Sequence, residues 1–143
     1  VLAGRIIAID YGQKRVGLAV TDPEQIIATS LTTVRSIDTI PFLKEYTKHE
    51  QVVLFVVGEP RQMNYEVSES ARFIEPFIKQ LVKEFPFIPV VRTDERFTSK
   101  MAMRTIQEAG LKKKDRQNKA LVDTVSATIL LQSYLEQMSA RSK

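Results

Sequence analysis

The sequence predicts an α/β fold, a mixed five-stranded sheet in which an antiparallel meander is extended by parallel strands and flanked by helices. Residues 6–9 (IIAI) and 51–57 (QVVLFVV) are apolar throughout or nearly so, the mark of strands buried on both faces. Three strand-like segments follow one another at the start with short links, which suits a meander. Beyond them, stretches of helical spacing alternate with strands, the pattern of right-handed crossovers. A chain of 143 residues, 43% of them hydrophobic, is expected to form one domain over 1–143.

The first strand ends on Asp10 and turns at once through Gly12 into Lys14 and Arg15. Residues 15–21 form the second strand and 26–34 the third, with Asp22 and Pro23 marking the turn. Ser36 or Asp38 can cap a helix that has Pro41 in its first turn and Leu43 and Tyr46 inward. The strand at 51–57 stops at Gly58, Glu59 and Pro60. Val67, Ala71, Ile74, Ile78, Leu81 and Phe85 recur at steps of three and four, so a long helix follows, which Pro76 should kink or weaken. Residues 89–93 form the fifth strand and run into Asp94 and Glu95. Thr98 or Ser99 can cap a helix that stops near Gly110, ahead of the cationic KKKDRQNK loop. The last helix, about 118–138, turns Leu121, Val125, Ile129 and Leu135 inward and holds Asp123 in its first turns.

The longest apolar runs are too short to cross a bilayer, and no signal pattern opens the chain, so a cytoplasmic protein with no membrane partner is expected. With no cysteine in the chain, disulfides and thiolate zinc sites are ruled out. Charge is uneven. Between 96 and 119 there are eight Lys or Arg against two acids, Glu108 and Asp115, which exceeds the net +4 of the whole chain. A polyanion such as a nucleic acid is the natural partner of that segment.

Sites in α/β sheets gather at the carboxyl ends of strands. Asp10, Glu59 and Glu95 close strands there, and Asp123 reaches the same edge if its helix packs beside the first strand. Three or four carboxylates at one edge repel one another unless a cation lies between them. All-oxygen donors suit Mg²⁺ or Mn²⁺, and a lone histidine, His49, argues against zinc. Two such ions, roughly 4 Å apart, would activate water for phosphodiester cleavage. That chemistry needs no covalent nucleophile, in keeping with a chain that offers no Ser-His or Cys-His pairing. Each acid alone has a structural explanation as a turn cap, an ion-pair partner or a helix-dipole partner; together in a basic protein they point to a metal-dependent nuclease. Lys14, Arg15 and Arg96 are placed to contact a phosphate beside the metals. Lys100 and Arg104 share a helix face, and Lys112, Lys113, Lys114, Arg116 and Lys119 add a cationic arm. His49 is expected at a solvent-facing helix end, and Tyr11 and Phe97 to pack rather than to stack on bases.

AIDYGQKRVGLAVTD near the start, VVGEPRQMN, DERFTS, and EAGLKKKDRQNKALVDTVSATILLQSYL near the end together resemble the YqgF family, also called the RuvX or Holliday-junction-resolvase-like family. The four motifs run in order over nearly the whole chain. This resemblance implies a ribonuclease H-like fold, a nuclease for the 5′ end of pre-16S ribosomal RNA in the bacterial cytoplasm, and Asp10, Glu95 and Asp123 as the catalytic, metal-binding acids. Glu59 stands where the family usually has leucine and inherits no role.

Three other readings remain. A resolvase of branched DNA would use the same chemistry and should be a dimer, though the sequence does not fix the number of subunits. A non-catalytic RNA-binding ribosome assembly factor would keep only the fold and the basic surface. An ATP-binding lobe like those of the actin and sugar-kinase superfamily would need a second glycine-rich phosphate turn, which this chain lacks.

Overall fold

The computed structural model describes residues 3–12, 14–59, 71–94 and 119–142. Strands β1 (Arg5–Tyr11), β2 (Arg15–Thr21) and β3 (Ala28–Arg35) form the expected meander. A 3₁₀ turn, Ser36–Asp38, leads into α1 (Thr39–His49), followed by β4 (Val52–Glu59), α2 (Ala71–Glu84), β5 (Val90–Asp94) and α3 (Lys119–Ser142). The strand order is β3-β2-β1-β4-β5, with β4 parallel to β1 and β5 parallel to β4. This is the predicted mixed sheet, with β1 in the middle. The helix expected at 98–110, the cationic loop after it and Val67 lie outside the described residues.

Strand alternation divides the core in two. Ile7, Ile9 and Tyr11 of β1 cluster with Leu18, Phe55, Val57, Leu43 of α1 and Ile74, Phe77 and Leu81 of α2. Ile6 and Ala8 cluster on the other face with Ala19, Val56 and Ala127, Leu130 and Leu131 of α3. The sheet is therefore sandwiched between α1 and α2 on one side and α3 on the other. Phe55 meets Phe85 edge-on at 5.2 Å, an arrangement favoured by the ring quadrupoles.

Several boundaries differ from expectation. β3 starts at Ala28 rather than 26, because the Asp22 carboxylate accepts the amides of Ile26 and Ile27, both at 2.8 Å, and holds them in the loop. Neither Ser36 nor Asp38 caps α1. Asp38 is the residue before the helix but makes no side-chain cap bond, and its carboxylate instead accepts from Arg35 Nε at 2.9 Å. β4 runs on through Gly58 to Glu59 because β5 pairs with both positions. α2 continues through Pro76, so the proline does not end it. α3 extends to Ser142. Ile129 is buried as expected and Leu135 packs on the core, but the seam against the sheet is Ala127, Leu130 and Leu131, and Val125 is only half-buried.

Candidate active site

Asp10 is half-buried near the carboxyl end of the central strand, in phase with Ile6 and Ala8 and so on the α3 face. It pairs with Gly17 on β2 and Gly58 on β4. Neither glycine has a side chain, so no neighbouring strand crowds the Asp10 carboxylate on that face. The same row continues from Gly58 to Thr93 of β5. Arg92, one residue out of phase, bonds to Glu75 of α2 on the opposite face. Among the described residues, the Thr93 hydroxyl is a buried polar group without a partner.

Such an orphaned hydroxyl is costly unless something binds it. Asp10 and Thr93 are both oxygen donors, the chemistry that hard divalent cations such as Mg²⁺ or Mn²⁺ take. They stand two strands apart, however, about 9.6 Å by strand spacing, and no group of three acids or histidines able to hold an ion occurs among the described residues. Sequence reasoning missed Thr93 and the two glycines. Their only signal is strand pairing, which joins positions far apart in the chain.

The backbone of α3 passes beside this row. Ser30 of β3 pairs with Ala19, Ala19 pairs with Ala8, and the Ser30 hydroxyl shares a hydrogen bond of 2.9 Å with that of Thr128. Thr128 is therefore level with Ala8. The later part of α3 packs near Ala28 and Leu54, toward the start of β1, so α3 runs antiparallel to β1. Two residues of strand advance about 7 Å, and five residues of helix about 7.5 Å. By that register the backbone of Asp123 is level with Asp10, one turn before Ala127. Its side chain lies outside the described set. So do Glu95, which follows Asp94 directly, Arg96, Lys100, Arg104, Lys112, Lys113, Lys114, Arg116 and the side chain of Lys119. Glu59 occupies the position after Gly58, out of phase with the Asp10 row, and pairs with Asp94.

Lys14 is exposed in the β1–β2 turn, and its carbonyl accepts the Ser36 amide at 3.0 Å. Arg15 opens β2 opposite Arg35, a like-charge pair that Asp38 relieves from the Arg35 side. Tyr11 packs as expected, stacked on Phe77 at 4.6 Å. Burial raises its phenol pKa, so it stays neutral. His49 is exposed at the end of α1, as expected, and bonds to Glu45 at 3.1 Å; that bond, with Lys48 nearby, lowers the Glu45 pKa.

Residues 4–137 match the model of a family described as RuvX, Holliday junction resolvase. A Bacteroides fragilis protein named "Putative pre-16S rRNA nuclease" is 60% identical over 132 residues, covering 92% of this chain and 96% of the relative. A Porphyromonas gingivalis protein of the same name is 59% identical over 133 residues, with 93% and 96% covered. Among solved structures, Thermus thermophilus RuvC in complex with a Holliday junction substrate superposes with a TM-score of 0.56 at 18% identity, covering 94% of this chain and 96% of that one. That likeness shows a shared ribonuclease H-like fold.

Proposed function

Because the chain belongs to the RuvX family, we propose that it is a metal-dependent phosphodiester hydrolase that processes the 5′ end of pre-16S ribosomal RNA in the cytoplasm. The observation that carries this is identity of 60% over 92% of the chain to a relative that bears that name. The Asp10 row supports it physically, as a half-buried carboxylate flanked by two glycines at the carboxyl end of the central strand. No helix among the described residues is long and apolar enough to cross a membrane.

In this reading Asp10, Glu95 and Asp123 hold the metal, for which Mg²⁺ and Mn²⁺ are the candidates. When bound, the divalent ions activate water and offset charge on the phosphodiester. Asp10 supplies a carboxylate from backbone fixed by the strands on either side, so little backbone ordering cost remains at the moment of reaction. Lys14 and Arg15 draw in the phosphate and hold it, with Arg96, Lys100, Arg104 and the 112–119 cations as further backbone contacts that carry no sequence preference.

The test is incubation of the purified protein with precursor ribosomal RNA in Mn²⁺. Asp10→Asn should lose more activity than the roughly 10- to 100-fold typical of removing a metal's outer-shell partner, with an unchanged melting temperature. Full activity in that variant would remove the proposal. The family description and the RuvC complex favour a second reading, resolution of branched DNA. A four-way junction cut faster than the RNA would establish it. Metal-independent RNA binding without cleavage of either substrate would leave an assembly factor.

A further inference from the structure

A groove of about 650 Å³ opens between α1 and α2, on the face of the sheet opposite the Asp10 row. Tyr11 and Phe77, stacked on one another, line its inner wall. Pro41 and Pro76 line it as well, and Ile37 stands at its lip, 72% exposed. A Lys44–Glu84 ion pair of 2.6 Å and the exposed Gln80 add polar groups. The volume falls within the roughly 300–1,000 Å³ usual for small-ligand sites. Mostly apolar walls with a few polar groups suit a flat heterocycle better than a phosphate.

The groove adjoins the basic turn. Tyr11 directly follows Asp10, and Ser36, another lining residue, donates its amide to the Lys14 carbonyl. A nucleic acid held by its phosphate at Lys14 therefore presents a neighbouring nucleotide at the mouth of the groove. A paired base is locked in its stack, whereas an unpaired one can swing out and lie against an apolar surface.

We propose that this groove takes one unpaired base of the RNA strand whose backbone lies along Lys14. The idea rests on the reading that the chain binds RNA, and it makes RNA with an unpaired segment beside the scissile bond the preferred substrate.

The experiment compares a short single-stranded RNA carrying 2-aminopurine with a blunt duplex of the same sequence, both bound in EDTA to the full chain. Two variants are used, Ile37→Glu and Ile37→Ser; the second removes the apolar contact without adding charge. The exposure of Ile37 means that both should fold, as their melting temperatures will check. Each should weaken single-strand binding about fivefold or more, change duplex binding less than about twofold, and abolish the change in 2-aminopurine fluorescence that the wild-type protein causes by drawing the base out of its stack. Equal losses on both RNAs, or a fluorescence change the same as with the wild-type protein, would overturn the proposal. So would sedimentation showing that the variants turn a dimer into a monomer, since a second copy would then fill the groove. Wild-type protein that binds neither RNA overturns this and the nuclease reading together. Strand selectivity without cleavage in Mn²⁺ supports the groove and removes only the nuclease.

Discussion

A Cβ at position 12 would stand 2.5 Å from the Arg15 carbonyl oxygen, a backbone atom with no rotamer to yield. Gly12→Ala should therefore cost about 1–3 kcal/mol and shift the turn that carries Lys14. Thermal unfolding measures the first effect and RNA affinity the second. Gly4 is held twice over, by φ +148° and by Val53 Cγ1 at 2.5 Å from any added Cβ. Gly4→Ala should lower stability by more than about 1 kcal/mol. At this scale the sequence was partly legible. A carboxylate ending an apolar run announces itself, which made Asp10 visible. Gly17 and Gly58 beside it are visible only once β2 and β4 are paired with β1.

The β2–β3 connection is held by two side chains, Asp22 and Gln25. Asp22 accepts the amides of Glu24, Ile26 and Ile27, and Gln25 takes the left-handed conformation at φ 62° while its side chain donates to the Gly4 carbonyl at 3.0 Å. The amides of Ile27 and Ile26 are the chief causes that lower the Asp22 pKa. A depressed folded-state pKa stabilises the fold above the unfolded-state value, and that contribution is lost as pH falls through the folded one. Asp22→Ala should thus melt at a lower temperature at neutral pH and lose less on acidification between about pH 5 and pH 2, as calorimetry across that range will show. The same bonds explain why apolarity alone started β3 too early. At α1, Arg35 takes the carboxylate that sequence reasoning assigned to a cap, a competition that residue preferences do not reveal. α3 was legible as a helix but not in its facing, since Val125 and Ile129 advertise a stripe while small Ala127 lets the helix approach the sheet. Leu131→Ala, at a fully buried position on that seam, should cost about 2–5 kcal/mol, measured by denaturant unfolding.

The whole molecule sets its features on the two faces of one sheet, with the Asp10 row on the α3 side and the apolar groove between α1 and α2. Its charge is divided too, the segment from 96 to 119 outweighing a slightly acidic remainder. Affinity for RNA should fall linearly on a log–log plot against salt, and Lys14→Ala should reduce that slope by about one contact; filter binding at several salt concentrations tests it. Topology was legible at this scale because apolar runs, short links and helical spacing each report on local physics. The grouping of Glu95 and Asp123 with Asp10 is a long-range matter that periodicity cannot report, and there the proposal rests on the resemblance in four motifs.

Asp10 belongs to the middle strand, hydrogen-bonded to an antiparallel neighbour on one side and a parallel one on the other. A backbone paired on both sides cannot swing in and out as a gate does. On the proposed reading, on–off control acts instead on traffic to Asp10, through ion supply, substrate shape or whatever shields the entrance.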